Sequence, residues 1–191
     1  MPRAGLSRAA VVALAVELCE GSWSGPAQLS LSALAARAGV STPGLYKHVA
    51  SLAELRTEVA EVAVRELTRS CAAATVGRSE EDALRALART VRSFATERPG
   101  LYAAVQLDAP AGGSPGLVAA ADELVSLFAA VVRGFGLPAA RATDAVRTVR
   151  AAVHGFTVLE AQGGFRLPDD PGRSLETLLD VLVAGLRSLA R

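Results

Sequence analysis

The sequence predicts an all-α protein of about nine helices. Three observations carry this. Apolar residues recur at spacings of three and four along most of the chain, and no stretch alternates β-branched and aromatic residues with period two. Ser, Gly and Pro fall where the periodic runs begin and end.

Taken in order, Ser7 is placed to cap a first helix over 8–20, with Leu6 available to staple against Val11. The segment 21–29, containing Trp23 and Gly25-Pro26, ends it. From a Ser30 cap, Leu31, Leu34, Ala35 and Ala38 at i, i+3, i+4 and i+7 make a short second helix. It stops at Gly39, the residue best suited to a left-handed position after a helix. A third begins after Ser41 with Pro43 in its first turn, where no intrahelical N–H is needed, and has room for about two turns before Ser51. Ser51 and Glu54 form a capping box, and Leu52, Leu55, Val59, Val62 and Leu67 carry a long amphipathic helix to about residue 74. Leu84, Leu87, Val91 and Phe94 mark another over 79–97, closed by Pro99-Gly100 ahead of a short apolar piece, 101–107. After a Gly- and Pro-rich loop at 109–116 come helices over 117–135, 139–162 and 174–190, parted by Gly136-Leu137-Pro138 and by 163–173.

Composition narrows the function. With 191 residues, 51% hydrophobic and 20% charged, the chain can bury a core. Basic residues number 20 against 19 acidic, which excludes a polybasic strategy for holding nucleic acid, so a polyanion must meet a local patch. The two cysteines, Cys19 and Cys71, are far apart and make neither a disulfide framework nor a zinc knuckle. With His48 and His154 the only histidines, no metal site and no cofactor is expected. Arg3, Arg8, the apolar run 9–16 and Cys19 imitate a lipoprotein signal, but Glu17 is out of place there and the run is too short to span a bilayer. A soluble cytoplasmic protein with no membrane partner is expected.

Residues 34–49 are the informative constellation: a short helix, Gly39 at the turn, Val40 expected to plug between helices, and a third short helix. This is helix-turn-helix chemistry. On the third helix Leu45 and Val49, at i and i+4, face the small core with Leu34 and Ala38. Thr42, Pro43, Tyr46 and Lys47 then fall on the opposite face, with Gly44 at its edge. A hydroxyl, a flat apolar ring, a phenol, an ammonium and a glycine that permits close approach suit phosphate oxygens and base edges in a major groove.

These residues resemble the TetR family of transcriptional regulators, whose pattern is matched by Leu34-Ala35-Ala36-Arg37-Ala38-Gly39-Val40-Ser41 and by Leu45-Tyr46-Lys47-His48-Val49, with Ser7-Arg8 opening the first helix. The resemblance covers about residues 7–65. It implies that Thr42, Pro43 and Lys47 approach bases, that Tyr46 and His48 hold phosphates, and that the helix after Ser51 carries strain from a bound ligand to the DNA-reading head. Two positions depart from the pattern: Leu52 stands where many relatives have a lysine, and Val49 where a phenylalanine usually follows the histidine. The first 56 residues hold five basic and three acidic side chains, a net charge of +2, so non-specific affinity should be modest and salt-sensitive. Neutral donors, including the hydroxyls of Ser30, Thr42 and Tyr46, must supply part of the grip.

The expected division is a DNA-binding head over 1–52 and a helical domain over 53–191, which the resemblance makes a ligand-binding and dimerisation domain. Candidates to line a cavity between helices are Phe94, Leu101, Tyr102, Gln106, Phe128, Arg150 and His154. Arg150 and His154, at i and i+4, are placed to address an anion or a polar ligand head together. His154-Gly155-Phe156 also resembles the C-terminal segment of a TetR subgroup with a Trp-His-Gly-like motif, with Val153 in place of the aromatic. Val146, Val149, Val153 and Phe156, with Leu175, Leu178, Leu182 and Leu186, form wide apolar stripes suited to an intersubunit four-helix bundle.

The expected function is a homodimeric, ligand-responsive repressor of a pseudo-palindromic double-stranded DNA operator, released by a small, largely apolar effector. Its two recognition helices should lie about 34–36 Å apart or a multiple of that. The alternative with the same head is an activator or an architectural dimer, since the sign of regulation depends on where the operator lies relative to a promoter. The alternative class, an all-α carrier or enzyme, lacks paired carboxylates on one helix face, a nucleophile with a nearby histidine and a Glu-x-x-His pair, so no catalytic residues are expected.

Overall fold

The computed structural model describes residues 6–20, 24–106 and 114–191. The turn expected around Trp23 and most of the loop from Ala109 lie outside the described residues. Among the described residues every regular element is a helix. In order they are α1 (Arg8–Cys19), α2 (Gly25–Gln28), α3 (Leu31–Ala38), α4 (Thr42–Leu45), α5 (Leu52–Thr75), α6 (Glu80–Glu97), α7 (Pro99–Val105), α8 (Pro115–Arg133), α9 (Ala139–Ala161) and α10 (Pro171–Leu189).

The helix starts follow the side chains that cap them. Ser7 accepts from the Ala10 amide and Ser30 from the Ala33 amide, each at 3.2 Å. At the head of α5 the Ser51 hydroxyl accepts from the Glu54 amide at 3.0 Å, and the Glu54 carboxylate reaches back to the Ala50 amide at 2.7 Å. Gly39, at φ 68°, closes α3 in a Schellman arrangement: its own amide donates to Ala36 and that of Val40 to Ala35.

Three elements differ from the sequence-based expectation. The segment after α1 contains a one-turn helix, α2, because Pro26 in its first turn presets the backbone and needs no N–H partner. Helix α4 is one regular turn, continued by tight turns in which the amides of His48 and Val49 both donate to Leu45. Helix α10 begins at Pro171, where Asp170 accepts from the Gly172 amide at 2.9 Å, ahead of the expected start at Ser174.

The chain forms two compact units, 1–65 with 97–121 and 66–96 with 122–191. In the first, α3 packs on α1 and α4, and α2 packs on α1 and α7 around a core that includes Val11, Leu34, Leu45, Val49, Leu55 and Leu101. Gly25 lies so close to α1 that a Cβ there would stand 2.1 Å from the Cys19 carbonyl oxygen.

In the second unit α9 packs on α10 over a core including Leu84, Leu87, Val132, Val149, Val153 and Leu179. Its rim is tied by ion pairs: Arg85 to Glu81, Glu176 and Asp180, Arg89 to Glu176, Arg92 to Glu160 and Arg187 to Glu81. Arg89 and Arg92 are bidentate, the geometry that gives an arginine–carboxylate pair most of its strength.

Candidate nucleic-acid interface

Helix α4 and the tight turns that continue it, 42–49, have two chemically opposite faces. Leu45 is fully buried and Val49 1% exposed, so the inward side is fixed in the core as the periodicity requires. On the other side Tyr46 is 56% exposed, Lys47 and Pro43 are exposed, and Thr42, Gly44 and His48 are half-buried. The structure thus brings six expected contact residues onto one short stretch, 42–48. Ser30, at the start of α3, is half-buried, and its hydroxyl caps Ala33 and pairs with the Ser32 hydroxyl at 3.2 Å. Val40 does not plug between the helices: it is 37% exposed, lying over Gly44, where a Cβ would come 3.7 Å from its own. The Schellman turn at Gly39 directs it outward.

Charge in this unit is distributed unevenly. Arg8 is bound to Glu54 and Glu58, Arg37 to Glu17 at 3.0 Å, Arg65 to Glu61 at 3.1 Å and Arg98 to Glu20. Arg56 donates to the carbonyls of Ala27 and Leu29 at 3.0 and 3.2 Å. Among the described residues of this unit, Lys47 is therefore the cation left without an ion-pair or hydrogen-bond partner, and it stands on the exposed face beside Tyr46. A count of basic side chains along the sequence does not separate Lys47 from Arg8, Arg37 and Arg56, whose guanidinium groups are committed to partners in the unit.

Arg8 holds Glu54 below the usual carboxylate range, helped by the Ala50 amide, so the capping carboxylate stays ionised where α1 meets α5. The thiols are buried, and burial pushes Cys19 up to about 11 and Cys71 up to about 12, values at which neither is a nucleophile at neutral pH.

Residues 84–182 match the family model described as "Tetracyclin repressor-like, C-terminal domain". The HTH-type transcriptional regulator YobS of Bacillus subtilis is 30% identical over 186 residues, 97% of this chain and 95% of YobS. The chain belongs to the TetR family. As a TetR-family protein it is a DNA-binding transcriptional regulator with a helix-turn-helix head. The solved TetR-family regulator SCO7222 of Streptomyces coelicolor shares its all-α fold, with a TM-score of 0.74 at 21% identity over 97% of this chain and 100% of SCO7222. BioQ bound to its double-stranded DNA operator is similar at 26% identity and a TM-score of 0.63, covering 96% of this chain and 99% of BioQ.

The other expected site residues of this TetR-family chain are divided between its units. Leu101 and Tyr102 are buried in α7 and Gln106 is exposed at its end, all in the unit that holds the head. Phe94 and Phe128 are buried in the second unit, where Arg150 is exposed and His154 half-buried on α9. Burial, then the charge of Arg150, lowers the pKa of His154, which favours a neutral imidazole.

Of the expected dimer stripe, Val146, Val149, Val153 and Phe156 on α9 and Leu175, Leu182 and Leu186 on α10 are at most 9% exposed within a single chain. Their side chains are used in the unit's own core, and only Leu178 stays half-buried. Periodicity gave the inward stripe correctly but could not say which neighbour covers it. A groove between α8 and α9 that includes Arg133 and Arg147 was missed; their signal was the i, i+3 pair Arg147 and Arg150 on a helix with an apolar inner face.

Proposed function

We propose that this TetR-family regulator is a ligand-responsive repressor that acts as a homodimer on a pseudo-palindromic operator and leaves it when a small, largely apolar effector binds. The observation that carries the DNA contact is the exposed Thr42–Lys47 surface, with Lys47 unpaired and Tyr46 beside it, opposite the buried pair Leu45 and Val49. Thr42, Pro43 and Lys47 approach base edges, Gly44 lets the backbone come close, and Tyr46, His48 and the Ser30 hydroxyl hold phosphates. BioQ, similar along nearly its whole length, is bound to a double-stranded operator in its own structure, which supports this use of the head.

The dimer contact is assigned to the outward faces of α9 and α10. Thr148, Ala151 and Leu159 are exposed on α9, and Thr177, Val181, Ala184 and Ser188 on α10, with Val181 65% and Leu159 52% exposed. Gly155 and Gly185 lie on the same faces, and a Cβ at either would meet nothing within 4 Å in its own chain. Intrachain packing therefore does not require these glycines, whereas close approach of a partner's helices does. Effector binding shifts the population toward a conformation whose two heads no longer match the spacing of successive major grooves. Turnover is no part of this reading, and a cytoplasmic location follows from it.

Selection of oligonucleotides by the purified protein tests the proposal. A palindrome retained by a dimer is expected. Retention of random DNA with no shared sequence, or of an asymmetric single half-site by a monomer, contradicts it.

A further inference from the structure

In the second unit α8 and α9 enclose a groove of about 340 Å³, within the size range of small-ligand sites. Its floor is apolar, with Val125, Ala129 and Val146, and three arginines line it: Arg133 from the last turn of α8, and Arg147 and Arg150 from α9. Arg85, Arg89, Arg92 and Arg187 in this unit are matched to carboxylates. The three that line the groove are not matched in that way. Among the described residues Arg133 and Arg150 have no ion-pair or hydrogen-bond partner, and Arg147 approaches only Asp144, at 3.9 Å with both side chains more than three-quarters exposed.

We propose that this groove binds an amphipathic carboxylate, its apolar body along Val125, Ala129 and Val146 and its carboxylate among Arg133, Arg147 and Arg150. The planar guanidinium fork matches a carboxylate in two-point contact. The apolar floor selects against a small, fully hydrated anion, which would lose water there and gain no partner, and favours one whose charge is carried on a hydrocarbon or aromatic body. The assignment rests on the ligand-responsive reading for its consequence at DNA, and on the groove alone for the binding.

Isothermal titration of the full chain with decanoate, 1-decanol and acetate tests it. Decanoate is expected to bind, with decanol, which lacks the charge, and acetate, which lacks the body, each weaker by about tenfold or more. The double variant Arg133→Gln/Arg150→Gln changes two exposed side chains and is expected to lose about tenfold or more in decanoate affinity while decanol is unaffected. Equal affinity for decanoate and decanol, no loss in the double variant, or no decanoate binding overturns the assignment. A mobility-shift titration on the selected operator separates the two claims. Arginine-dependent decanoate binding that leaves DNA bound upholds the groove and removes the ligand-responsive reading; arginine-independent release of DNA does the reverse.

Discussion

Arg56 on α5 donates to the carbonyl oxygen of Leu29, the residue just before the cap of α3, and to that of Ala27 two positions earlier. Both carbonyls stand at the C-terminal end of the one-turn helix α2, where intrahelical donors have run out. A guanidinium there satisfies two orphan acceptors and ties the long helix to the helix-turn-helix. Arg56→Met keeps the length and removes the donors, and should cost about 1–3 kcal/mol in urea denaturation. Operator affinity should fall in parallel; unchanged stability would mean that water serves those carbonyls equally well.

Gly25 marks a tight backbone approach in the same unit. Gly25→Ala would place a methyl 2.1 Å from the Cys19 carbonyl oxygen, so α1 and α2 must separate. The expected loss is about 1–3 kcal/mol, read as a lowered thermal midpoint. A midpoint equal to that of the natural chain would show that α2 moves freely.

The ionised Glu54 links the head to pH. Its folded pKa lies below the ordinary carboxylate value, chiefly through the hydrogen bond from Arg8 and then that from the Ala50 amide. The unfolded chain therefore takes up this proton first as pH falls. The stabilisation is fully present above the ordinary carboxylate range and is lost as pH drops through it and on through the lowered folded pKa. Circular dichroism of Glu54→Gln across acid pH should show a shallower loss of stability than the natural chain. Glu176, lowered mainly by Arg89 in the other unit, keeps part of the slope in that variant.

Val181 and Leu182 are neighbours in sequence with opposite environments, 65% and 8% exposed. Val181→Arg should convert the dimer to monomer in light scattering with helicity retained. Leu182→Asp should instead lower the stability of the chain, because it buries an unpaired carboxylate in the intrachain core. A dimeric Val181→Arg variant would place the subunit contact elsewhere.

How much of this was legible in the sequence depended on the range of the interaction. Caps, the Gly39 turn and the inward positions Leu34, Leu45 and Val49 are set by neighbours within a turn or two, and periodicity with capping chemistry was enough to read them. The one-turn α2 was hidden because Gly25 and Pro26 read as breakers, and only the close approach to Cys19 shows why a glycine is needed there. The partners of Arg8 and Arg56 lie 46, 50, 29 and 27 residues away, so counting charges along the chain could not tell a free cation from a committed one. The inward stripe of α9 and α10 was visible, but whether a leucine meets its own chain or another is a tertiary fact that helical spacing does not encode.

Operator binding depends most on the outward face of α4 and of the turns that continue it, 42–48. A salt-controlled mobility-shift titration of Lys47→Ala and Tyr46→Phe on the selected operator tests it directly, since both side chains are exposed and neither substitution should disturb the fold. Lys47→Ala should weaken binding to the operator more than to unrelated DNA, because a base-edge contact is lost, and should lower the salt slope because one cation per head leaves the interface. Tyr46→Phe should weaken binding less, through one lost hydrogen bond. Unchanged affinity and salt slope in both variants would contradict the assignment of this face to DNA.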